Sequence, residues 1–75
     1  MKDKIHIGKL IKKKMKAKRY TAIWLAKELS CSRQNVYKIF DKDNIDIMQL
    51  LKISKVLNYD FFNEISIFFN KNSKQ

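Results

Sequence analysis

Seventy-five residues, no proline, one glycine, one cysteine and a formal net charge of +10 limit the chain to one small domain. A chain of this length buries only about 60% of its unfolded surface, so no large enclosed active site fits beside its core. One cysteine makes neither an internal disulfide nor a four-ligand zinc site, and no apolar run approaches the roughly 20 residues that span a bilayer.

The scarcity of helix breakers predicts helices joined by short connections. Ile7, Leu10, Ile11 and Met15 lie at helical spacing within residues 5–16, with Lys9, Lys12, Lys13 and Lys16 largely off that stripe. The first helix is therefore amphipathic, with a basic outer face. A polar connection over residues 16–20 follows. Thr21 can cap a second helix, because its hydroxyl accepts a free N–H of the first turn. Ala22, Leu25, Ala26 and Leu29 continue that helix, which stops around Ser30-Cys31. Ser32 is the next cap. It opens a short helix from Arg33 to about Phe40, with Val36, Ile39 and Phe40 apolar.

Residues 41–44 are turn formers. Asp46 with Gln49 resembles a capping box and starts a fourth helix carrying Ile47, Leu50, Leu51, Ile53, Val56 and Leu57. Asn58 ends it, since Asn tolerates the left-handed conformation of a C-terminal cap. Asp60 caps a short fifth helix from Phe61 to about Ser66. Ile65 to Phe69 alternates weakly and is rich in β-formers, so it either extends that helix or forms a strand. The expected division is a domain over residues 1–69 and a polar, disordered tail over 70–75. The expected fold class is all-α: five short helices in one compact unit.

Charge is uneven. Residues 1–20 hold nine Lys/Arg and one Asp, a net of +8; residues 21–75 hold eight Lys/Arg and six Asp/Glu, a net of +2. A field of one sign draws in polyanions. Nucleic acid, an anionic membrane surface and an acidic protein all fit, and so does a solvated lysine face. His6 has nothing nearby to complete a metal or catalytic set and reads as a surface imidazole. Cys31 reads as a buried structural thiol. No paired carboxylates, Cys/His set or glycine-rich phosphate loop points to catalysis. Asp41, Asp43 and Asp46 are spaced loosely like a calcium loop but lack its glycine and terminal glutamate. The expectation is no enzyme, no metal and no cofactor.

Function is carried by the spacing of the second and third helices. Only Ser30-Cys31-Ser32 separates them, and so short a link forces two helices into a fixed corner. The stretch from Thr21 to Phe40 resembles the helix-turn-helix of the phage-repressor and Cro type, the XRE family. The resemblance runs on through Ile47 to Phe62 and back to Ile7 to Met15, covering roughly residues 5–65. The Leu25-Ala26 pair, the gap to Ser32 and the Leu50-Leu51-Ile53-Leu57 pattern carry it together. Ala26 is small where two helices cross, and Leu29 and Val36 bracket the turn. The chain departs from the family at three places. Ser30 replaces the usual turn glycine, Ala22 replaces a common phosphate-touching Gln, and Trp24 replaces a polar residue.

The resemblance implies a lambda-repressor-like DNA-binding domain, a sequence-specific regulator of double-stranded DNA that most often represses. It places the third helix in the major groove. The DNA-facing residues it implies are Thr21, Ser32, Arg33, Gln34, Asn35, Tyr37 and Lys38, with Lys16, Lys18 and Arg19 as further phosphate candidates. Arg pairs with guanine, and Gln or Asn with adenine. Two-fold dimers are the rule for this motif, and Phe61, Ile65, Phe68 and Phe69 are the expected dimer interface. The implied setting is the cytoplasm of a bacterium or phage host. The alternative is an antitoxin-like or adaptor protein that grips a protein partner through its aromatic C-terminal segment. A membrane role is not expected, because the apolar face of the first helix is needed for the core.

Overall fold

The computed structural model describes residues 4–72. Five helices follow one another: α1 Ile7–Lys18, α2 Ala22–Leu29, α3 Arg33–Asp41, α4 Ile47–Leu57 and α5 Phe61–Asn72. The described residues contain no strand.

The helix starts follow the expected side chains. Thr21 Oγ1 accepts from the Trp24 N–H at 3.1 Å, Ser32 Oγ from Asn35 at 3.2 Å, Asp46 Oδ2 from Gln49 at 3.3 Å and Asp60 Oδ1 from Asn63 at 3.0 Å. Each satisfies one of the donors that a helix N-terminus leaves unpaired. His6 does the same for α1: its Nδ1 accepts from the Lys9 N–H at 3.0 Å. The imidazole is thus a cap as well as a surface group.

Three helices end in one way. Arg19, Ser30 and Asn58 are left-handed, with φ of 63°, 56° and 53°. Behind each, two backbone N–H groups turn back onto the last helical carbonyls: Ser30 onto Lys27 and Cys31 onto Ala26, for example, at 3.1 and 2.9 Å. Lys18 reaches from α1 to donate to the Leu57 carbonyl at 3.0 Å, placing a cation at the negative end of α4.

The core is drawn from every helix. Ile7, Ile11 and Met15 of α1 meet Leu25, Ala26 and Leu29 of α2, Val36 and Ile39 of α3, Leu50, Ile53 and Leu57 of α4, and Phe61 of α5. The closest helix packing is α1 on α3, α2 on α3 and α2 on α4. The α1–α3 crossing depends on Gly8. A Cβ there would stand 2.3 Å from the Phe40 carbonyl oxygen and 2.4 Å from that of Ile39. Without it, the Ile7 and Gly8 N–H groups reach the Asp43 and Lys42 carbonyls at 3.0 and 2.8 Å. The start of α1 is thus sewn to the end of α3.

Several expectations are corrected. Residues 65–69 are helical, and α5 runs to Asn72 rather than to Ser66. Phe61, Ile65 and Phe68 recur at helical spacing and pack toward one side, which a two-residue period would split. Residues 70–72 therefore belong to a helix and not to a disordered tail; residues 73–75 lie outside the described residues. Ile47 is 68% exposed, because the first turn of α4 projects past the core. Ile45, just before the cap, packs against the core in its stead, in the position of a hydrophobic staple opposite Leu50. Cys31 is a free thiol and only half-buried.

Candidate nucleic-acid interface

Two anchors hold α3. At its start, the three residues Ser30–Ser32 join it to α2, with Leu29 and Val36 buried on either side of the turn. At its end, the hydrogen bonds from Ile7 and Gly8 fasten the following turn to α1. A nine-residue helix is marginal in isolation. Here both of its ends are fixed by the rest of the molecule.

Between these anchors Val36 and Ile39 are buried, and Phe40 packs partly against the core. With about 100° between successive residues, Gln34 and Asp41 point directly away from the core, with Tyr37 and Lys38 to either side of them. Arg33 falls on one flank and Asn35 on the other. All of Arg33, Gln34, Asn35, Tyr37 and Lys38 are exposed. Tyr37 is 49% exposed and its ring sits 6.3 Å from that of Phe40, centroid to centroid. The Ser32 hydroxyl oxygen is occupied as a cap, as is that of Thr21. Capping uses an oxygen lone pair, so each O–H proton remains free to donate.

Asn35 and Lys38 line a groove of about 170 Å³ that α3 makes with α4. Its other polar walls are Lys42, Gln49 and Lys52, over a floor that includes Leu29 and Ile39. Three lysines and no carboxylate line it. Nothing local in the sequence marks Gln49 and Lys52 as partners of Lys38. They are one turn apart on α4, but which face of α4 turns toward α3 is decided by packing. Asp41 and Asp43 place negative charge at the far end of α3. Arg33 and two amides thus lead at the N-terminal end, and two carboxylates flanking Lys42 close the other.

The remaining expected residues are elsewhere. Lys16, Lys18 and Arg19 lie at the end of α1 opposite to Gly8, where α1 meets α3; that is about 12 Å or more along the helix axis. The Lys18 ammonium is held on the Leu57 carbonyl. Trp24 is half-buried and stacks on Tyr20, with ring centroids 4.1 Å apart and planes 19° apart. Phe61 is 1% exposed and fills the core, so it is not available to a dimer interface. Ile65 and Phe68 are half-buried, and Phe69 is 65% exposed. Met48 and Leu51 of α4 are further exposed apolar groups, and Leu51 shares a cleft with Phe62 of α5.

Among the described residues, no cluster of three or more His, Cys, Asp or Glu side chains could hold a metal ion, and no helix is long and apolar enough to cross a membrane. No protein-family model matches the chain, and neither a curated protein nor a solved structure matches it.

Proposed function

We propose that this protein binds double-stranded DNA in a sequence-specific manner and regulates transcription, most simply as a repressor, with α2 and α3 forming a helix-turn-helix and α3 lying in the major groove. One observation carries the proposal. A short helix fixed at both ends presents Arg33, Gln34, Asn35, Tyr37 and Lys38 outward on a chain of net charge +10. Those residue types read base edges and phosphates. A rigid mount is what base reading needs, because each bidentate contact tolerates little displacement. The lysine-lined groove between α3 and α4 suits the phosphate backbone beside the reading helix. The carboxylates at the end of α3 favour approach with the N-terminal end foremost.

The test is selection from a random duplex pool at about 150 mM salt, where phosphate attraction alone is weak. Enrichment of one shared sequence supports the proposal. Replacing Arg33, Gln34 and Asn35 together by Ala is expected to abolish the enrichment and leave the melting temperature unchanged, since all three are exposed. Retention of duplexes without any shared sequence would sink it in favour of a non-specific clamp. Enrichment that survives the triple substitution would move the reading surface away from α3.

A further inference from the structure

A second surface lies on the α1–α5 side of the molecule. A groove of about 360 Å³ is walled by Ile5, Leu10 and Ile67 with half-buried Phe68, and rimmed by Lys4, Lys9, Lys13 and Lys71. An adjoining hollow of about 250 Å³ shares Leu10, Lys13 and Glu64 with it and extends the trough to Lys14, Ala17 and Tyr59. The trough follows α1 for about 15 Å, or three turns. Its one carboxylate, Glu64, is taken by the Tyr59 hydroxyl. The Lys14 ammonium sits 3.9 Å from the centre of the Tyr59 ring. What remains is an apolar floor, 52% exposed at Ile67, with Lys4, Lys9 and Lys13 along its α1 side and Lys71 on its α5 side. None of the outward residues of α3 takes part.

We propose that this trough docks an acidic amphipathic helix of a partner protein. The argument is charge and period. Lys9 and Lys13 are one helical turn apart, which matches carboxylates repeated at every turn of a facing helix. Apolar residues between those carboxylates would fill the floor, as in other helix-in-groove complexes. A lone fatty acid or nucleotide would use one end of the trough and leave the other lysines unanswered. A second copy of this chain has no suitable helix. Its acidic residues number only seven, and three of them, Asp41, Asp43 and Asp46, fall at or between the ends of α3 and α4.

The test uses the full chain and a fluorescein-labelled peptide of about 15 residues, three to four turns, with Leu at helical spacing and Glu on both flanks. Fluorescence anisotropy gives affinity, and methyl resonances of Ile5, Leu10 and Ile67 give location. The patterned peptide is expected to shift those methyls. Lys9→Glu with Lys13→Glu is expected to weaken it about tenfold or more, and Ile67→Ser by a similar factor. All three positions are exposed, so circular dichroism should be unchanged. The triple alanine variant of α3 is expected to bind the peptide as before, which separates this proposal from DNA reading. Equal binding of a scrambled peptide of the same composition would overturn it, as mere attraction of a polyanion. So would shifts that map to α3. Vesicles of phosphatidylglycerol that displace the peptide through Lys9 and Lys13 would overturn it in favour of a lipid surface.

Discussion

Gly8 shows how much one residue can decide. Glycine costs about 1 kcal/mol relative to alanine in a helix interior and less at Gly8, the second residue of α1, so α1 gives up a little stability there. It gains a crossing in which its backbone lies against the carbonyls of Ile39 and Phe40. Gly8→Ala is therefore expected to destabilise the protein by about 2 kcal/mol net, despite the better helix former. Urea unfolding measures it, and a more stable variant would mean that α1 and α3 do not meet so closely. The left-handed residues are a second case. Asn58 is suited to that conformation, and Ser30 and Arg19 are not. They hold it because the helix ends need the hydrogen bonds it permits.

At the scale of elements, the junction of α4 and α5 is fastened by Tyr59. Its hydroxyl donates to the Glu64 carboxylate, its ring meets Phe61 edge-on at 4.9 Å, and Lys14 of α1 lies over its face. The hydrogen bond to Glu64 raises the phenol above its ordinary pKa of 10.0, and burial and the charges of Glu64 and Asp60 add to this. The proton is thus bound more tightly in the folded chain than in the unfolded one. The stabilisation is complete below pH 10.0 and is lost as pH rises through the raised value. Tyr59→Phe keeps the ring and removes the hydroxyl. Near neutral pH the native chain is expected to exceed the variant by about 1 kcal/mol. Thermal melts of both proteins should converge as pH climbs above 10.0, the ordinary value for Tyr59. A difference that stays constant would show that the phenol does not titrate against Glu64.

Across the whole molecule, α5 has two separate flanks. Glu64, Ile67, Phe68 and Lys71 border the trough with α1. On the other side, Phe62 and Phe69 follow helical spacing beyond the core-packed Ile65, and Leu51 of α4 lies beside Phe62. That second flank is the surface we propose for a two-fold dimer reading two half-sites. Phe69→Glu is expected to leave the fold intact, because the ring is 65% exposed. If the proposed dimer forms through this flank, sedimentation equilibrium should find the native chain dimeric and the variant monomeric. A variant that remains dimeric would place the interface on another face.

Much of the local structure could be read without coordinates. Four helix caps, at Thr21, Ser32, Asp46 and Asp60, follow from one hydroxyl or carboxylate placed before an apolar period. The ends of α2 and α4 and the inward residues of α3 follow from that same period. These are short-range facts, governed by neighbours three or four residues away. The length of α5 was less legible, since β-branched and aromatic residues suit strand and helix alike until something packs on one side. The capping role of His6, the need for glycine at position 8, the exposure of Ile47 and the loss of Phe61 to the core depend on residues far off in the chain. So does the meeting of Lys38 with Gln49 and Lys52. Which helices form, and which of their faces are apolar, belongs to the sequence by itself. Which faces meet, and therefore which lysines stand together around a groove, is decided only when the helices pack, because every helix here has more than one side that could have been buried.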